Sequence, residues 1–271
     1  MPRDDRSERE SLLAGRVAIV TGGGRGLGRA MALGLAKAGA TVVATAARER
    51  DEIERLARDA NAGGRPDAVY PMLADVTRED DCARTVATAL ERFGRLDILV
   101  NNAGRGMKYV SEDFLTQPTR FWETATATWR LVIETNIVGP FLMARAAVPA
   151  MLTRGWGRIV NISMNAETMR RRGFSPYGPS KAAMESATNI WAQDLADTGI
   201  TVNALLPGGA TLTGMIPQSF PEHLRATLLD PEIVVPPLLW IVSTKSDGVT
   251  GRRFVATKWR ADNTEGEAAG W

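Results

Sequence analysis

Tyr177 and Lys181 stand four residues apart in NISMNAETMRRRGFSPYGPSK (161–181). On a helix that spacing projects both side chains from one face, and an ammonium beside a phenol favours the phenolate. A group whose ordinary pKa is about 10 is thereby brought toward the range in which it can give and take protons. Tyr177 is a candidate general acid or base, with Lys181 as its electrostatic partner.

A second stretch points to phosphate. VAIVT (17–21) runs into TGGGRGLGRAMALGLAKAG (21–39), which puts Gly22, Gly26 and Gly28 at a strand-to-helix turn. Glycines there permit a tight turn, close approach of backbone to a pyrophosphate and close helix–strand packing, while the helix N-terminus directs N–H donors at the anion. The spacing is GxxxGxG rather than GxGxxG. A site for NAD has an acidic residue about 20 positions on, at the end of the second strand, to hold the ribose 2′-OH. Residues 41–48 contain no acid, and the position falls near Ala46. Arg25 in the turn and Arg48 after the strand could both face a 2′-phosphate, which favours NADP over NAD.

Short β-branched runs must carry these residues: 17–21, 41–46, 68–73, 96–101, 158–163, 200–206 and 253–256, alternating with longer helical patterns. The alternation predicts a βαβ architecture. The first runs are continuously apolar, as in a parallel sheet covered on both faces by helices, and right-handed crossovers wind it in both directions. Gly39 and Gly199 stand where helices give way to strands. Two irregular segments, 105–130 with Trp122 and Trp129 and 208–223, are placed to cover a site.

The bulk properties narrow the classes. A chain of 271 residues suits one large α/β domain, and 44% hydrophobic with 24% charged residues is ordinary for a globular protein. With 33 basic and 31 acidic residues there is no broad field for nucleic acid or anionic lipid, and no basic stripe is present. The opening MPRDDRSERESLLAGR has no apolar centre, so neither a secretory signal nor a membrane span is expected. Residues 1–14 and 258–271 are expected to be tails around one domain at 15–257. Cys82 is the only cysteine and His223 the only histidine, so no internal disulfide or His/Cys metal site is expected, Cys82 is read as inert and His223 as a surface residue. A reducing, cytoplasmic compartment is the simplest setting.

Taken in order, these motifs resemble the short-chain dehydrogenase/reductase family, over 15–256. TGGGRGLG is similar to the family's cofactor turn; Asp75 in LADVT resembles the residue that contacts adenine, with Val76 beside it; NNAG (101–104) follows the fourth strand; Asn136 lies in TNIVG; YGPSK supplies the pair; and LLPGG follows the sixth strand. The resemblance implies a single Rossmann-type doubly wound domain with a seven-stranded parallel sheet. It further implies cofactor contacts from Gly22, Arg25, Gly26, Leu27, Gly28, Arg48, Asp75, Val76, Asn102, Ala103, Gly104, Tyr177, Lys181, Pro207, Gly208 and Thr211. Lys181 would hold the nicotinamide ribose, and Asn136 would hold a water that continues the proton path.

The family's serine precedes its tyrosine by 13 residues, and here that position is Met164. Ser163 is one residue earlier, and alternation along a strand points neighbours to opposite faces. Two readings follow. A bulge at the strand end turns Ser163 to Tyr177 and completes the site, which is the assignment adopted; or Met164 occupies the position and the orienting donor is lost. After PGG, Thr211 and Thr213 flank the place where the family has a threonine. Arg170, Arg171 and Arg172 precede Tyr177 and could meet an anionic group on the substrate.

The activity implied is hydride transfer between a nicotinamide and a carbonyl or secondary alcohol, of the keto-acyl/carbonyl reductase or sugar-acid/polyol dehydrogenase type. The alternative is a catalytically weak dinucleotide-binding sensor or scaffold, for which Met164 is the argument. The family implies a homotetramer, with a homodimer as the alternative.

Overall fold

The computed structural model describes residues 12–62 and 65–262, with the backbone of 267–268. Seven parallel strands form where the apolar runs lie: β1 Val17–Val20, β2 Thr41–Ala46, β3 Val69–Leu73, β4 Ile98–Asn101, β5 Gly157–Ile162, β6 Ile200–Leu206 and β7 Arg252–Val255. Their order is β3-β2-β1-β4-β5-β6-β7, with a two-residue antiparallel strand, β8 Glu267–Ala268, added beyond β7. The sheet thus extends into the expected C-terminal tail. At the other end Leu13 is buried in the core and its N–H bonds to the Ala38 carbonyl, so ordered structure passes the expected boundary at residue 15 as well.

The crossovers contain α1 Gly26–Lys37, α2 Arg50–Asn61, α3 Glu79–Phe93, α4 Thr126–Ile133, α5 Gly139–Arg154, the single turn α6 Ala166–Met169, α7 Tyr177–Asp194 and α8 Val235–Ile241. Local chemistry sets several ends. α3 opens with Glu79, Asp80 and Asp81, which suit the positive end of its dipole, and closes on Gly94 at φ 72°. α5 closes on Gly155 at φ 62°. Gly39 (φ 100°) and Gly199 (φ 77°) are both left-handed, but α7 ends at Asp194, so Gly199 terminates the following turn rather than the helix.

Strand alternation divides the core in two. Ala18 and Val20 join Ile98, Val100, Val160 and Ile162 on the face covered by α1, α2 and α8. Val17 and Ile19 join Leu99 and Ile159 on the face covered by α3, α5 and α7. Both sides of β1 and β4 are apolar because both are covered, which is why those runs lack polar alternation.

The strand order reverses between the parallel strands β1 and β4, and their C-terminal ends open into a crevice. Asn102 closes its floor: its side-chain amide donates to the Thr21 and Gly22 carbonyls, while the Thr21 hydroxyl accepts from the N–H groups of Asn102 and Ala103. At the opposite end of the same strands, Asp97 accepts from Arg16, Arg95 and the Val17 N–H. Burial alone would raise its carboxyl, but bonds from Arg95, Val17 and Arg16 outweigh it and hold the group below the ordinary carboxylate range.

Asp97→Asn is expected to destabilise the fold by about 3 kcal/mol, because it strands two arginines against a buried site. A carboxyl lowered in the folded state contributes stability above its unfolded pKa and loses it as pH falls. Thermal melts should therefore show the gap between wild type and variant narrowing below pH of about 4.

Candidate active site

The crevice is a groove with a cavity of about 220 Å³. All the expected cofactor residues from Gly22 to Gly104 line it, drawn from the turns after β1, β2, β3 and β4. The glycines are required by geometry. A Cβ on Gly28 would lie 2.1 Å from the Gly22 carbonyl oxygen, and Gly22 itself has φ 64° with Ala103 Cα 3.0 Å from its would-be Cβ. α1 has no acidic residue in its first turn, so its N-terminal N–H groups remain available to an anion. The residues fit a dinucleotide whose pyrophosphate rests on this turn.

At the far end of the groove, Arg25 lies 3.3 Å from Glu52 and 3.9 Å from Glu49; Arg25, Glu49 and the neighbouring Arg48 are exposed and Glu52 is half-buried. Glu49 and Glu52 lie beyond residues 41–48, where an acid for the ribose is expected. They begin α2, which turns them back over the groove.

Tyr177 and Lys181 share the first turns of α7, as their spacing predicts. Lys181 Nζ donates to the Ile162 carbonyl at 2.7 Å and lies 5.9 Å from the centre of the Tyr177 ring. The pair meets the groove at Gly104, whose would-be Cβ stands 3.8 Å from Lys181 Nζ and 3.3 Å from Asn136 Oδ1. Burial pushes the Tyr177 phenol up to about 12 and Lys181 down to about 8, the latter against the pull of Glu185. The expected lowering of the phenol is therefore not what this structure has. Desolvation dominates, and Tyr177 carries its proton at neutral pH.

Asn136 sits in a π-helical turn, Glu134–Val138, between α4 and α5. The wider turn aims its amide inward, where Oδ1 accepts from Arg105 N–H and Nδ2 donates to the Arg105 carbonyl and to Ser180 Oγ. Ser180 in turn donates to the Tyr177 carbonyl. Asn136 is thus a clasp between the loop after β4 and the start of α7. Ser180 was missed; its position one residue before Lys181 was the available signal.

The serine assignment is corrected. Asn161 and Ser163 point to the same side of β5: Asn161 Nδ2 donates to Thr188 Oγ1, and Ser163 Oγ donates to Glu185 Oε1 at 2.5 Å. Ser163 is a buried contact of α7, its hydroxyl committed to Glu185. β5 pairs with β6 residue for residue through Ile162, with no bulge, so alternation holds and Met164, the residue after Ser163, turns to the other side. Met164 packs with Met107, Met169 and Phe174, and Tyr177 lies against that cluster.

Thr211 is corrected too. It is buried, bridged to Leu229, and bonds to the Gly209 carbonyl, whereas Thr213 lines the groove within 3.0 Å of a Cβ on Gly26. Pro207 and Gly208 lie outside the groove lining, in a turn held by Asn165 Nδ2 to the Gly208 carbonyl and Thr257 N–H to the Pro207 carbonyl. The irregular segments do border the site: Arg105, Lys108 and Tyr109 on one side, Gly214 and Met215 on the other. Arg170, Arg171 and Arg172 line a separate cavity of about 400 Å³ with Phe121 and Trp122. Cys82 is buried and its thiol pushed up to about 12 by burial, and His223 is exposed.

A glycine-floored dinucleotide crevice with a partly buried tyrosine and a buried lysine at its edge defines an α/β oxidoreductase. The family model for short chain dehydrogenase matches residues 16–223, and the chain belongs to that family. It is 35% identical over 249 residues to the short chain dehydrogenase mpl6 of Monascus purpureus, covering 90% of this chain and 81% of that protein. It is 32% identical over 249 residues to the 3-oxoacyl-[acyl-carrier-protein] reductase FabG of Thermotoga maritima, covering 89% and 95%. The crystal structure of 3-ketoacyl-(acyl-carrier-protein) reductase from Brucella melitensis complexed with NADH superposes with a TM-score of 0.77 at 30% identity, covering 90% of this chain and 96% of that one.

Met164→Ser is expected to restore a hydroxyl beside Tyr177 and raise kcat at least about tenfold, toward the roughly 10²–10³ that one such donor contributes. Ser163→Ala should change kcat by less than about threefold while costing about 1 kcal/mol of stability from the lost bond to Glu185. Steady-state kinetics and thermal melts on the two variants separate these roles.

Proposed function

We propose that the protein reduces an apolar ketone to a secondary alcohol, with NADPH as its preferred hydride donor. The observation that carries the reading is Tyr177, partly buried and packed against the cluster of Met107, Met164, Met169 and Phe174 at the edge of the dinucleotide groove. Bound nicotinamide supplies the hydride. The chain supplies the rest: Tyr177 holds a proton at neutral pH and delivers it to the carbonyl oxygen, and Lys181 compensates the phenolate that results. Asn136 and Ser180 keep the tyrosine's turn against the loop after β4.

The methionine and phenylalanine wall favours a keto-acyl or other apolar carbonyl compound over a sugar acid or polyol, whose hydroxyls would lack partners there. The Thermotoga relative, named as a 3-oxoacyl reductase, supports the same substrate type. Met169 and Phe174 also border the cavity lined by Arg171 and Arg172, so an anionic group at the remote end of the substrate has a place to bind.

NADPH is favoured because Ala46 and Ala47 line the ribose end of the groove where an NAD site carries an acid, and Arg25 and Arg48 stand beside it. NADH is the alternative, supported by Glu49 and Glu52 and by the NADH-complexed Brucella structure. Exposed Val138, Phe141 and Leu152 on the helical run 126–154, with Ile190 on α7, support a homotetramer or homodimer. A second reading, a dinucleotide-binding sensor with little turnover, rests on Met164 in place of a hydroxyl donor.

The test is NADPH and NADH oxidation across ketones of graded polarity and charge. Tyr177→Phe should lower kcat by at least about 10²-fold. Arg25→Ala should raise KM for NADPH about tenfold and leave NADH within about threefold. Tight NADPH binding with no turnover of any ketone, restored by Met164→Ser, would favour the sensor.

A further inference from the structure

Lys181 and Glu185 are one turn apart on α7, both buried, and both are held by adjacent residues at the end of β5. Lys181 Nζ donates to the Ile162 carbonyl, while Glu185 Oε1 accepts from Ser163 Oγ and, at 2.9 Å, from Arg253 Nε of β7. Arg253 also donates to the Met164 carbonyl at 3.0 Å. Of this cluster Lys181 reaches the site, 5.9 Å from the Tyr177 ring centre, while Glu185, Ser163 and Arg253 are not among the groove-lining residues.

We propose that Glu185, clamped by Ser163 and Arg253, is the counter-ion that keeps Lys181 charged beside Tyr177, and so is a positioning residue for the proton transfer. The inference rests on the reading of Tyr177 and Lys181 as the acting pair. A buried ammonium with only a carbonyl for a partner favours its neutral form, and a neutral lysine does not compensate a phenolate. Glu185 lies one helical turn on at i, i+4 spacing, and although its Oε1 is ion-paired to Arg253 at 2.9 Å, its negative charge still raises Lys181 through space. Its direction is upward on Lys181, opposing a burial that lowers it to about 8. The same clamp explains Ser163 and Met164: the serine is committed to α7, and the Met164 carbonyl is tied back to β7.

The groups that face this pair from each packed element are few among those described. α7 presents Tyr177, Ser180 and Glu185; β5 and its end present Asn161, Ser163 and Met164; β7 presents Arg253; and the π-helical turn presents Asn136. Arg105, nearby in sequence to the groove, turns its guanidinium to Thr135 and the Tyr109 ring.

The chain has five lysines, Lys37, Lys108, Lys181, Lys245 and Lys258, so a titration of the cofactor-free protein by NMR of ¹³Cε-labelled lysine resolves the buried one, assigned by its loss in Lys181→Met. Wild type should titrate near 8. Glu185→Gln should move that midpoint down by about one unit, and Glu185→Asp, which keeps the charge, should hold it near wild type. A folded Glu185→Gln whose midpoint stays in place, or a fall equal in both variants, overturns the proposal. If Glu185→Gln does not fold, Arg253→Met serves instead, since removing the competing cation should raise the midpoint, and no rise overturns it. In the reductase assay the alkaline limb of kcat should follow the NMR shift. A shift seen by NMR but absent from kcat upholds the counter-ion and refutes the Tyr177–Lys181 reading of the reaction.

Discussion

The docking of α7 on β5 is the contact on which the site depends. Three neighbouring positions of one strand end hold three positions of one helix: Asn161 to Thr188, Ser163 to Glu185, and the Ile162 carbonyl to Lys181. Alternation along the strand sends the odd-numbered side chains to the helix, and the carbonyl between them reaches the lysine. The helix thereby arrives with Tyr177 at the edge of the groove, packed against the cluster to which Met164 belongs. A slip of one residue in this register would exchange Ser163 and Met164 and change the chemistry of the site.

Charge is arranged so that the buried carboxylates Asp97 and Glu185 have arginine partners and the glycine turn of the groove keeps its donors. Asp97 is surrounded by Arg16 and Arg95 below the sheet, and Glu185 meets Arg253 behind α7. Above the sheet, the glycine turn is free of acids at the start of α1, while Arg25 and its two glutamates lie in solvent where their attraction is weak. The rigid charges sit where the fold must not move. The adaptable ones sit where a phosphate or a ribose hydroxyl would compete for Arg25.

The wall around Tyr177 is unusual in containing three methionines, Met107, Met164 and Met169, with Phe174. Methionine is unbranched and fills irregular space, so this wall can accommodate differently shaped apolar groups without a large packing cost. The same dryness raises the phenol and lowers the ammonium, so substrate preference and proton affinity have one physical origin in the burial of α7's first turns.

The seven strands, the glycine turn and the tyrosine–lysine spacing were legible in the chain because each is local: periodicity of two or 3.6 residues, and glycine where backbone geometry admits nothing larger. Asp75, NNAG and Asn136 were legible by their order along the chain. What the sequence could not decide was the orientation of adjacent residues where a strand ends, Ser163 against Met164 and Thr211 against Thr213, since a bulge or its absence is settled by packing against α7 and Leu229. Nor did it reveal Glu49 and Glu52 folding back over Arg25, Leu13 entering the core, or β8 extending the sheet. It also predicted a phenol lowered by its lysine, whereas burial raises it. Desolvation is a property of the assembled surroundings, summed over every element that covers a group, and no spacing within one helix contains it.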